Sequence, residues 1–348
     1  GVGSLDEVFE GGDVRLVASA SLGQVYKAKL RDGGDTVAIK IQRPDMLRRV
    51  SLDLFLLGKM AVFMDVLTTT LTQQAPYHVD LVDTFARASY RELDYEYEAA
   101  NQILFKNELA KRKCQVYVPK VYLQHTTRHI LTTEWITGTK LSSAPSSQIR
   151  ALIPVGVELF LTQLLDLGYF HADPHPGNLH VVTSCTNGQP QLCLLDFGLV
   201  ATIDPRARAA MTRAIVHLLQ GDFDTLIRQD AKMLGFLPED LDTKELQPIL
   251  QKILTEGLLE AKSDLRARRR KLGEISGELN EVFFKYPFSV PPFFALITRG
   301  LGLLEGIALS GDPEFDIFKA SYPYARRRAI EMFGIQGLKE LRRRNTFV

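Results

Sequence analysis

Residues 171–178 read HADPHPGN, and residues 194–198, a hairpin length further on, read LLDFG. Asp173 and Asn178 reproduce a D-x-x-x-x-N step, and Asp196 opens D-F-G. A phosphoryl-transfer site uses such a set of carboxylate, amide and second carboxylate, because it works mainly by positioning its reactants and neutralising charge through metal ions. The two stretches together predict phosphoryl chemistry.

Each of these side chains has an expected task in that chemistry. Asp196 would hold Mg²⁺ across the phosphates, and Asn178 would hold the same ion or a second one, since hard oxygen ligands suit this metal. Asp173 would orient or deprotonate the attacking hydroxyl. Either motif alone also fits ordinary turn chemistry. Their occurrence in the right order favours an ATP-dependent kinase or ATPase.

Length and composition agree with a catalytic domain of two lobes. The chain has 348 residues, of which 45% are hydrophobic and 24% charged, and its net charge of +1 argues against an obligatory nucleic-acid partner. The most apolar segment, residues 290–309, contains Arg299 and Glu305, so we expect no transmembrane segment. Three cysteines without metal-ligand spacing indicate ordinary thiols in a reducing compartment.

The first forty residues are typical of a small lobe. Residues 14–17, 25–30 and 36–42 form strand-like runs, and the last run contains Val37-Ala38-Ile39-Lys40. This run matches the V-A-I-K strand, whose lysine contacts the α and β phosphates. A lysine at the end of an apolar strand is otherwise often a solvated edge residue. Because this run comes before the two catalytic motifs, Lys40 is the expected nucleotide-binding lysine. Ala38 of the same strand is also expected to contact the nucleotide.

The loop before that strand is poor in glycine. A G-x-G-x-x-G loop brings backbone amides close to phosphates, but residues 18–24 read ASASLGQ and keep only Gly23. The alternative is an ordinary hairpin of small residues. We expect the loop to cover the nucleotide while altering its selectivity or restraining turnover. The expected contacts are Ala18, Ser19, Ala20, Ser21, Gly23, Gln24 and Val25.

Residues 44–111 read as helical, with a break near Ala75-Pro76. Residues 91–101 are dense in carboxylates, which by itself fits a solvated helix face. A kinase also needs a helical glutamate for its lysine, and Glu98 is the best-placed candidate. The long separation from Lys40 predicts that helices are inserted within the small lobe.

Taken together, these motifs resemble the UbiB/ADCK (ABC1-type) family of atypical kinases over nearly the whole chain. The resemblance rests on residues 18–28, 37–44, 92–98 and 171–178. It implies that an alanine-rich loop replaces the glycine-rich loop, and that an N-terminal K-x-G-Q motif lies over the active site and pairs with E-x-D carboxylates. By resemblance, Glu92 and Asp94 are those regulatory carboxylates, and Glu98 is the partner of Lys40. No K-x-G-Q motif precedes the alanine-rich loop, so we expect either a truncated chain or the loss of this regulatory element. Because the chain starts at Gly1 without a Met, we also expect that a targeting segment or more has been removed.

The middle of the chain is expected to supply the other wall of the nucleotide site. Residues 118–123 and 129–133 are strand-like, and residues 134–138 resemble an interlobe hinge. Backbone groups near Glu134 and Ile136 would then meet the adenine edge. An apolar helix over residues 148–168 and a hairpin of residues 178–183 and 191–195, turning at Asn187-Gly188, should carry the catalytic motifs.

The residues after Asp196 argue against a peptide substrate. No A-P-E motif follows D-F-G, and residues 205–219 turn helical at once. The apolar residues 286–309 fit either a core helix or a lipid-facing surface, with the core favoured. The basic clusters at residues 266–271 and 326–328 fit solvated helix faces or contacts with anionic headgroups.

The sequence therefore predicts an α+β, two-lobed protein-kinase-like fold. The small lobe, residues 1–135, would carry the loop and the helical insertion, and the mostly helical large lobe would span residues 136–348. ATP and Mg²⁺ are the expected cofactors. The resemblance implies an ATPase, or a small-molecule or lipid kinase, that supports isoprenoid quinone or prenyl-lipid metabolism at a membrane surface.

The expected partners are ATP, a lipid or quinone-like ligand and a membrane surface that the protein contacts peripherally. No nucleic-acid partner is expected. The expected location is an organelle, with the plastid preferred over the mitochondrion. Two alternatives stay open: a nucleotide-sensing pseudokinase scaffold, and a small-molecule phosphotransferase like the aminoglycoside and choline kinases.

Overall fold

A computed structural model describes most of the chain, with gaps. The described residues are 8–10, 14–71, 78–172, 175–183, 188–220, 222–254, 286, 292–317, 319–324, 326–328 and 330–331. Asp173, the Ala75-Pro76 break, Asn187 of the predicted turn and the basic residues 266–271 lie outside them.

The strands of the described residues lie between Arg15 and Thr202. They are β1 (Arg15–Ser19), β2 (Gly23–Lys29), β3 (Thr36–Gln42), β4 (Val116–Tyr117), β5 (Ile130–Glu134), β6 (Gly138–Lys140), β7 (Tyr169–His171), β8 (Leu179–Thr183), β9 (Pro190–Leu194) and β10 (Val200–Thr202).

Helices separate some of these strands and make up most of the described residues after Thr202. The longer ones are α1 (Met46–Leu71), α2 (His78–Glu92), α3 (Tyr95–Lys111), α4 (Ser146–Leu161), α5 (Pro205–Gln220), α6 (Leu246–Leu254) and α7 (Pro292–Gly311). A π-helical turn, Thr162–Leu167, continues α4, and a 3₁₀ turn, Pro176–Asn178, precedes β8. The predicted α+β class is confirmed, and the predicted helical insertion is present between β3 and α3.

The chain divides into two compact units. The first unit comprises Gly1–Lys140 and Gly177–Val200, and the second comprises Leu141–Pro176 and Ala201–Val348. The first unit is discontinuous because β8 and β9 pair with its strands. The division into lobes at residue 135 stays a prediction.

The first sheet has the antiparallel order β1-β2-β3-β5. Successive side chains of β3 point to opposite faces. Val37 and Ile39 are buried on one face, in a cluster with Phe9, Ala28, Leu30 and Tyr122. Ala38 and Lys40 therefore lie on the other face, which is the face expected to meet the nucleotide.

The second sheet has the order β4-β9-β8-β6. β9 runs parallel to β4 and antiparallel to β8, and β8 pairs with β6. Cys193 of β9 is fully buried, and burial raises the pKa of its thiol to about 12. This thiol is therefore an ordinary core side chain at neutral pH.

A buried carboxylate joins the two inserted helices. Asp65 of α1 is 9% exposed and accepts hydrogen bonds from the backbone N–H groups of His78 at 2.9 Å and Val79 at 3.1 Å. These residues open α2, whose first N–H groups have no partner within the helix. Asp65 thus caps α2 from the neighbouring helix.

Helix α1 is apolar on both of its sides. Leu54 and Ala61 are 7% and 4% exposed, whereas Leu52, Phe55 and Phe63 are 58%, 59% and 61% exposed. Only the first side packs against described residues of the first unit. A helix of this kind is stabilised through one face alone.

The prediction of a strand over residues 118–123 is wrong. The ladder contains only Val116–Tyr117, Val121 makes an isolated bridge to Thr133, and Leu123–His125 is a 3₁₀ turn. Pro119 has no N–H group with which to continue a ladder. The neighbouring strand, predicted over residues 129–133, is present as β5.

The core of the second unit is built around α4. The stretch from Ser146 to Leu167 is, among the described residues, the one helix long and apolar enough to cross a membrane, and 67% of its most apolar window is buried inside the protein. A Cβ atom on Gly300 or Gly311 of α7 would lie 2.5 Å from Phe160 or 2.6 Å from Ile149. The close packing of α7 on α4 supports the core interpretation of its apolar residues.

A second buried carboxylate lies farther along this unit. Asp230, 1% exposed, accepts a hydrogen bond from Nδ1 of His217 at 2.6 Å, and the Arg213 Nε atom is 3.9 Å away. The hydrogen bond to Asp230 raises the pKa of His217, although burial opposes the charged imidazolium. His217 and Asp230 therefore form an ion pair when the imidazole is protonated.

Replacement of Leu54 tests the packing of α1. We expect Leu54→Ala to lower the free energy of unfolding by about 2–3 kcal/mol, because it removes buried methyl groups and leaves a cavity. Leu52→Ala, on the opposite side, should change it by less than about 0.5 kcal/mol. Urea unfolding followed by fluorescence of Trp135, the single tryptophan, measures both. Equal losses in the two variants would contradict the assigned buried face.

The His217–Asp230 pair predicts a pH-dependent contribution to stability. A raised folded-state pKa means that the stabilisation is fully present below the unfolded value of about 6.5 and is lost as pH rises through the folded value. NMR titration should give His217 a pKa above 6.5 in the unsubstituted chain and a lower one in Asp230→Asn. Assignment uses His217→Gln. A His217 pKa unchanged by the Asp230 substitution would refute the pairing.

Candidate active site

The first unit brings a lysine and a glutamate together from distant parts of the chain. Lys40 of β3 donates from Nζ to both carboxylate oxygens of Glu98 in α3, at 3.1 and 2.8 Å, across a separation of 58 residues. The Glu98 side chain is 4% exposed and that of Lys40 is 30% exposed. The residue expected to be the partner of Lys40 is therefore in contact with it.

The start of α3 sets the position of Glu98. Asp94 caps the helix, because its carboxylate accepts hydrogen bonds from the N–H groups of Glu96 at 3.1 Å and Tyr97 at 3.2 Å. Glu98 then follows within the first turn. Glu92, at the end of α2, is exposed. The capping contact is a structural task for Asp94 that the sequence did not predict, and the regulatory role of Glu92 and Asp94 stays a prediction.

Asp196 lies at the edge of the same pair. One of its carboxylate oxygens is 3.8 Å from Lys40 Nζ, and its side chain is 46% exposed. Its backbone has φ of +61°, and its other oxygen accepts a hydrogen bond from the Gly198 N–H at 3.2 Å. A left-handed conformation is uncommon outside glycine and is found most often where geometry serves a site.

One face of α3 holds the residues next to Asp196. The Asn101 side-chain amide donates to the Phe197 carbonyl at 3.0 Å, and Glu98 accepts a hydrogen bond from the Phe197 N–H. The fully buried Phe197 ring packs against Phe105 with 5.2 Å between ring centres. Sequence reasoning assigned no role to Asn101 and Phe105. Their spacing of three and seven residues from Glu98 is the signal for a shared helix face.

The hairpin of β8 and β9 places Asn178 and Asp196 at one end. Leu179 pairs with Leu194, and the Asn178 carbonyl accepts a hydrogen bond from the Leu195 N–H at 2.9 Å. Asn178 thus lies opposite the residue that precedes Asp196. Asp173, the third member of the predicted set, lies outside the described residues.

Arg43 holds the alanine-rich loop in place. It belongs to residues 37–44, one of the segments that carry the family resemblance, but the sequence predicted no role for it. The Ala20 N–H donates to the Gly23 carbonyl at 2.8 Å, which closes the turn between β1 and β2. Arg43 donates from its side chain to the Ala20 carbonyl at 3.1 Å and to the Ser19 hydroxyl at 2.7 Å. Its backbone N–H donates to the Leu22 carbonyl at 2.9 Å. Ser19 and Ala20 therefore lie under direct restraint from the end of β3.

Some of the remaining predicted nucleotide contacts lie on the face of the first sheet that carries Lys40, and the others lie elsewhere. Val25 pairs with Lys40 and lies beside Ala18 in the register, so it shares the face of Ala38. Ser21 is exposed, and Gln24 accepts a hydrogen bond from the Tyr26 hydroxyl. Ala18, Val25 and Ala38 therefore lie around Lys40 on three neighbouring strands, whereas contacts of Ser21 and Gln24 with a nucleotide stay predictions.

The hinge segment is tied into the first unit by Glu134. Its carboxylate accepts hydrogen bonds from the Tyr117 hydroxyl at 2.6 Å and the Lys120 N–H at 3.0 Å. Its backbone N–H donates to the Lys120 carbonyl, and that of Trp135 to Thr36. Ile136 follows between β5 and β6 and is partly exposed. An adenine contact of Glu134 and Ile136 stays a prediction.

Charge is balanced around Lys40. Burial disfavours its ammonium group, but the carboxylates of Glu98 and Asp196 outweigh this effect, so the pKa of Lys40 lies above its ordinary value. Lys40 is therefore fully protonated at neutral pH. A protonated lysine held beside a partly exposed carboxylate suits a polyphosphate that brings its own divalent cation.

The donor set fits Mg²⁺. Asp196 and Asn178 supply hard oxygens from one end of a hairpin, and Mg²⁺ is ordinarily held by one or two protein groups together with water and substrate phosphates. The part of the chain that the structure describes has no cluster of three or more histidine, cysteine or acidic residues able to hold a metal by themselves. Asn178 and Asp196 thus fit an ion that arrives with a nucleotide.

Several known proteins are similar to this chain in sequence. Protein ACTIVITY OF BC1 COMPLEX KINASE 3, chloroplastic, of Arabidopsis thaliana is 39% identical over 336 residues, which are 94% of this chain and 45% of that protein. An uncharacterized protein of Synechocystis sp. is 36% identical over 330 residues, 93% of this chain and 46% of its own length. The chain spans about half the length of these relatives.

A solved structure has the same fold. Rv3197 from Mycobacterium tuberculosis, in its complex with erythromycin, superposes with a TM-score of 0.60 at 23% identity, over 90% of this chain and 77% of that one. The protein-kinase-like α+β fold predicted from the sequence is confirmed.

The family model of the ABC1 atypical kinase-like domain matches residues 3–230. This match covers well over half of the chain and includes the loop, the Lys40–Glu98 pair and the hairpin that carries Asn178 and Asp196. The chain therefore belongs to the ABC1/UbiB family of atypical kinases.

Proposed function

We propose that this chain binds Mg-ATP in its first unit and acts as an ATPase or as a phosphotransferase on a small molecule or lipid. The contact of Lys40 with Glu98, with Asp196 at 3.8 Å, is the observation that carries this proposal. Such an ion pair holds the ammonium group where a polyphosphate needs a cation.

Each residue of the site has a distinct task in the proposal. Lys40 binds the α and β phosphates, and Glu98 keeps its side chain from rotating away. Asn178 and Asp196 hold Mg²⁺, which when bound neutralises charge on the transferring phosphoryl group. Asp173 orients the attacking hydroxyl or water. The loop residues Ala18 to Val25 cover the nucleotide, and backbone groups near Glu134 and Ile136 meet its base.

The absence of a peptide platform favours a small acceptor. Helix α5 begins at Pro205, soon after Gly198, and no A-P-E motif lies between them or beyond. The family resemblance implies isoprenoid quinone or prenyl-lipid metabolism at a membrane surface. Glu92 and Asp94 would regulate access to the site, and the boundary between the two lobes would lie near residue 135.

A plastid location is part of the proposal. It is supported by the names of relatives from Arabidopsis thaliana that are 39%, 34% and 31% identical and are described as chloroplastic. The same comparison includes Synechocystis sp. proteins at 36% and 35% identity. A photosynthetic membrane is therefore the favoured surface, ahead of a mitochondrial one.

Phosphate release in the presence of liposomes containing quinone-like lipids tests this function. We expect Lys40→Ala and Asp196→Asn each to lower turnover on the order of a hundredfold, because each removes charge stabilisation from the transition state. Lys29→Ala is the matched control, since Lys29 lies in the same sheet but pairs with Glu10 at 2.9 Å. It should retain turnover.

The outcomes separate the competing functions. Binding of Mg-ATP without lipid-stimulated, Asp196-dependent phosphate release would replace the proposal by a nucleotide-sensing scaffold. Release that depends on an amino sugar or choline instead of lipid would favour the small-molecule phosphotransferase. No binding of Mg-ATP by the unsubstituted chain would overturn the nucleotide assignment.

The contacts of Arg43 with the loop predict an effect on the rate of nucleotide release. We expect Arg43→Ala to speed dissociation of Mg-ADP about twofold to fivefold, because exposed charged hydrogen bonds contribute modestly and the loop loses its side-chain contacts to Ser19 and Ala20. Stopped-flow fluorescence with a labelled nucleotide measures the rate. Arg31→Ala, on the β2–β3 turn, is the control. Equal rates in both variants would contradict the restraint.

A further inference from the structure

Tyr95 is a buried tyrosine directly beneath the alanine-rich loop. It is 1% exposed and is the first residue of α3, one turn before Glu98. The Lys40 Nζ atom lies 5.0 Å from the centre of its ring. A Cβ atom on Gly23 would lie 2.8 Å from the Tyr95 hydroxyl and 2.7 Å from the Ile41 carbonyl oxygen. The ring therefore fills the space between the lysine and the loop.

The hydroxyl of Tyr95 has no hydrogen-bond partner among the described residues, although it is buried. Two other tyrosines of the first unit have partners: the Tyr122 hydroxyl donates to Asp35 at 2.8 Å, and that of Tyr117 to Glu134 at 2.6 Å. A buried polar group without a partner costs about 1–3 kcal/mol. Phenylalanine would fill the same space without that cost, so packing alone does not account for tyrosine here.

We propose that Tyr95 is a further nucleotide-binding residue, whose hydroxyl donates a hydrogen bond to a phosphoryl oxygen held by Lys40. This role rests on the Mg-ATP binding proposed above and adds a residue to that site. Because Gly23 shields the hydroxyl in the present conformation, the contact forms when the loop rises to admit phosphates. The Tyr95 hydroxyl therefore has no hydrogen-bond partner in the nucleotide-free protein and gains one when the nucleotide binds.

The surroundings select an anion as the partner. The Lys40 ammonium lies over the face of the ring, so a phosphoryl oxygen that binds Lys40 comes within reach of the Tyr95 hydroxyl. The carboxylates of Glu98 and Asp196 also act on this hydroxyl, and Lys40 and the metal ion of the nucleotide offset their charge.

The loop above consists of small residues and keeps glycine at the position over the hydroxyl, so backbone and phosphate can approach closely. Lifting the loop breaks the exposed side-chain contacts of Arg43 to Ser19 and Ala20. It also breaks the backbone hydrogen bond from Arg43 to the Leu22 carbonyl and the pairing of Gly23 at the start of β2, so nucleotide binding has to offset these losses.

This assignment predicts opposite changes in stability and in binding, which a packing role does not. Tyr95→Phe removes the unpaired hydroxyl, so the nucleotide-free protein should be as stable as the unsubstituted chain or more so. The same variant should bind Mg-ATP about tenfold more weakly, because it loses a hydrogen bond to a charged group. Its affinity for adenosine, which has no phosphate, should be unchanged.

Tyr122→Phe is the matched control. It also removes a buried hydroxyl of the first unit, but one that is paired, and on the face of the sheet opposite Lys40. We expect it to lower the melting temperature without nucleotide and to leave the affinity for Mg-ATP unchanged. Thermal unfolding and titration calorimetry with Mg-ATP and with adenosine measure all three proteins, and circular dichroism verifies their folding.

Three results would overturn the role of Tyr95. The first is an affinity for Mg-ATP in Tyr95→Phe equal to that of the unsubstituted chain. The second is an equal loss for Mg-ATP and adenosine, which would indicate a general distortion of the site. The third is failure of the unsubstituted chain to bind Mg-ATP, which would overturn the proposed function together with this role. A Tyr95→Phe variant that does not fold would show that the hydroxyl serves stability, and it too would refute the proposal.

Discussion

The ion pair between Lys40 and Glu98 is the contact on which the candidate site depends. A carboxylate that is 4% exposed needs a compensating charge, and Lys40 supplies it with two hydrogen bonds. This requirement places the first turn of α3 against β3. Once α3 is there, its next turns hold Phe197 through Asn101 and Phe105. One ion pair thus positions both the phosphate-binding lysine and the residue beside Asp196.

Three unusual features of the first unit lie close to that pair, although Asp45 and Lys113 of the same unit also have a positive φ. Asp196 has a left-handed backbone, Gly23 has no room for a side chain, and the Tyr95 hydroxyl is buried without a described partner. The left-handed backbone and the buried hydroxyl are unfavourable in a ligand-free protein, and Gly23 is the residue that leaves room for that hydroxyl. Their concentration around Lys40 is typical of a site whose geometry serves a bound molecule more than the stability of the fold.

Local patterns predicted most elements of the fold, and their failures have physical causes. β3 lies at the predicted residues 36–42 because a β-branched run ends at a proline turn. The strand predicted over residues 118–123 is wrong because Pro119 interrupts the ladder. Tyr95, Asn101 and Arg43 were part of recognised segments, but their partners are far away in sequence. Spacing along one helix or strand does not reveal which distant group a side chain meets.

By itself, the sequence determined the residue types, their order and the family. The run V-A-I-K, the alanine-rich loop and the D-F-G step are local strings, and the chemistry they indicate follows from their side chains. Only the tertiary structure decided that Glu98 is buried against Lys40, that Asp196 lies 3.8 Å from it and that Tyr95 fills the space under Gly23. Those facts depend on how α3 packs against the sheet, where Lys40 and Glu98 meet across a sequence separation of 58 residues that no local pattern encodes.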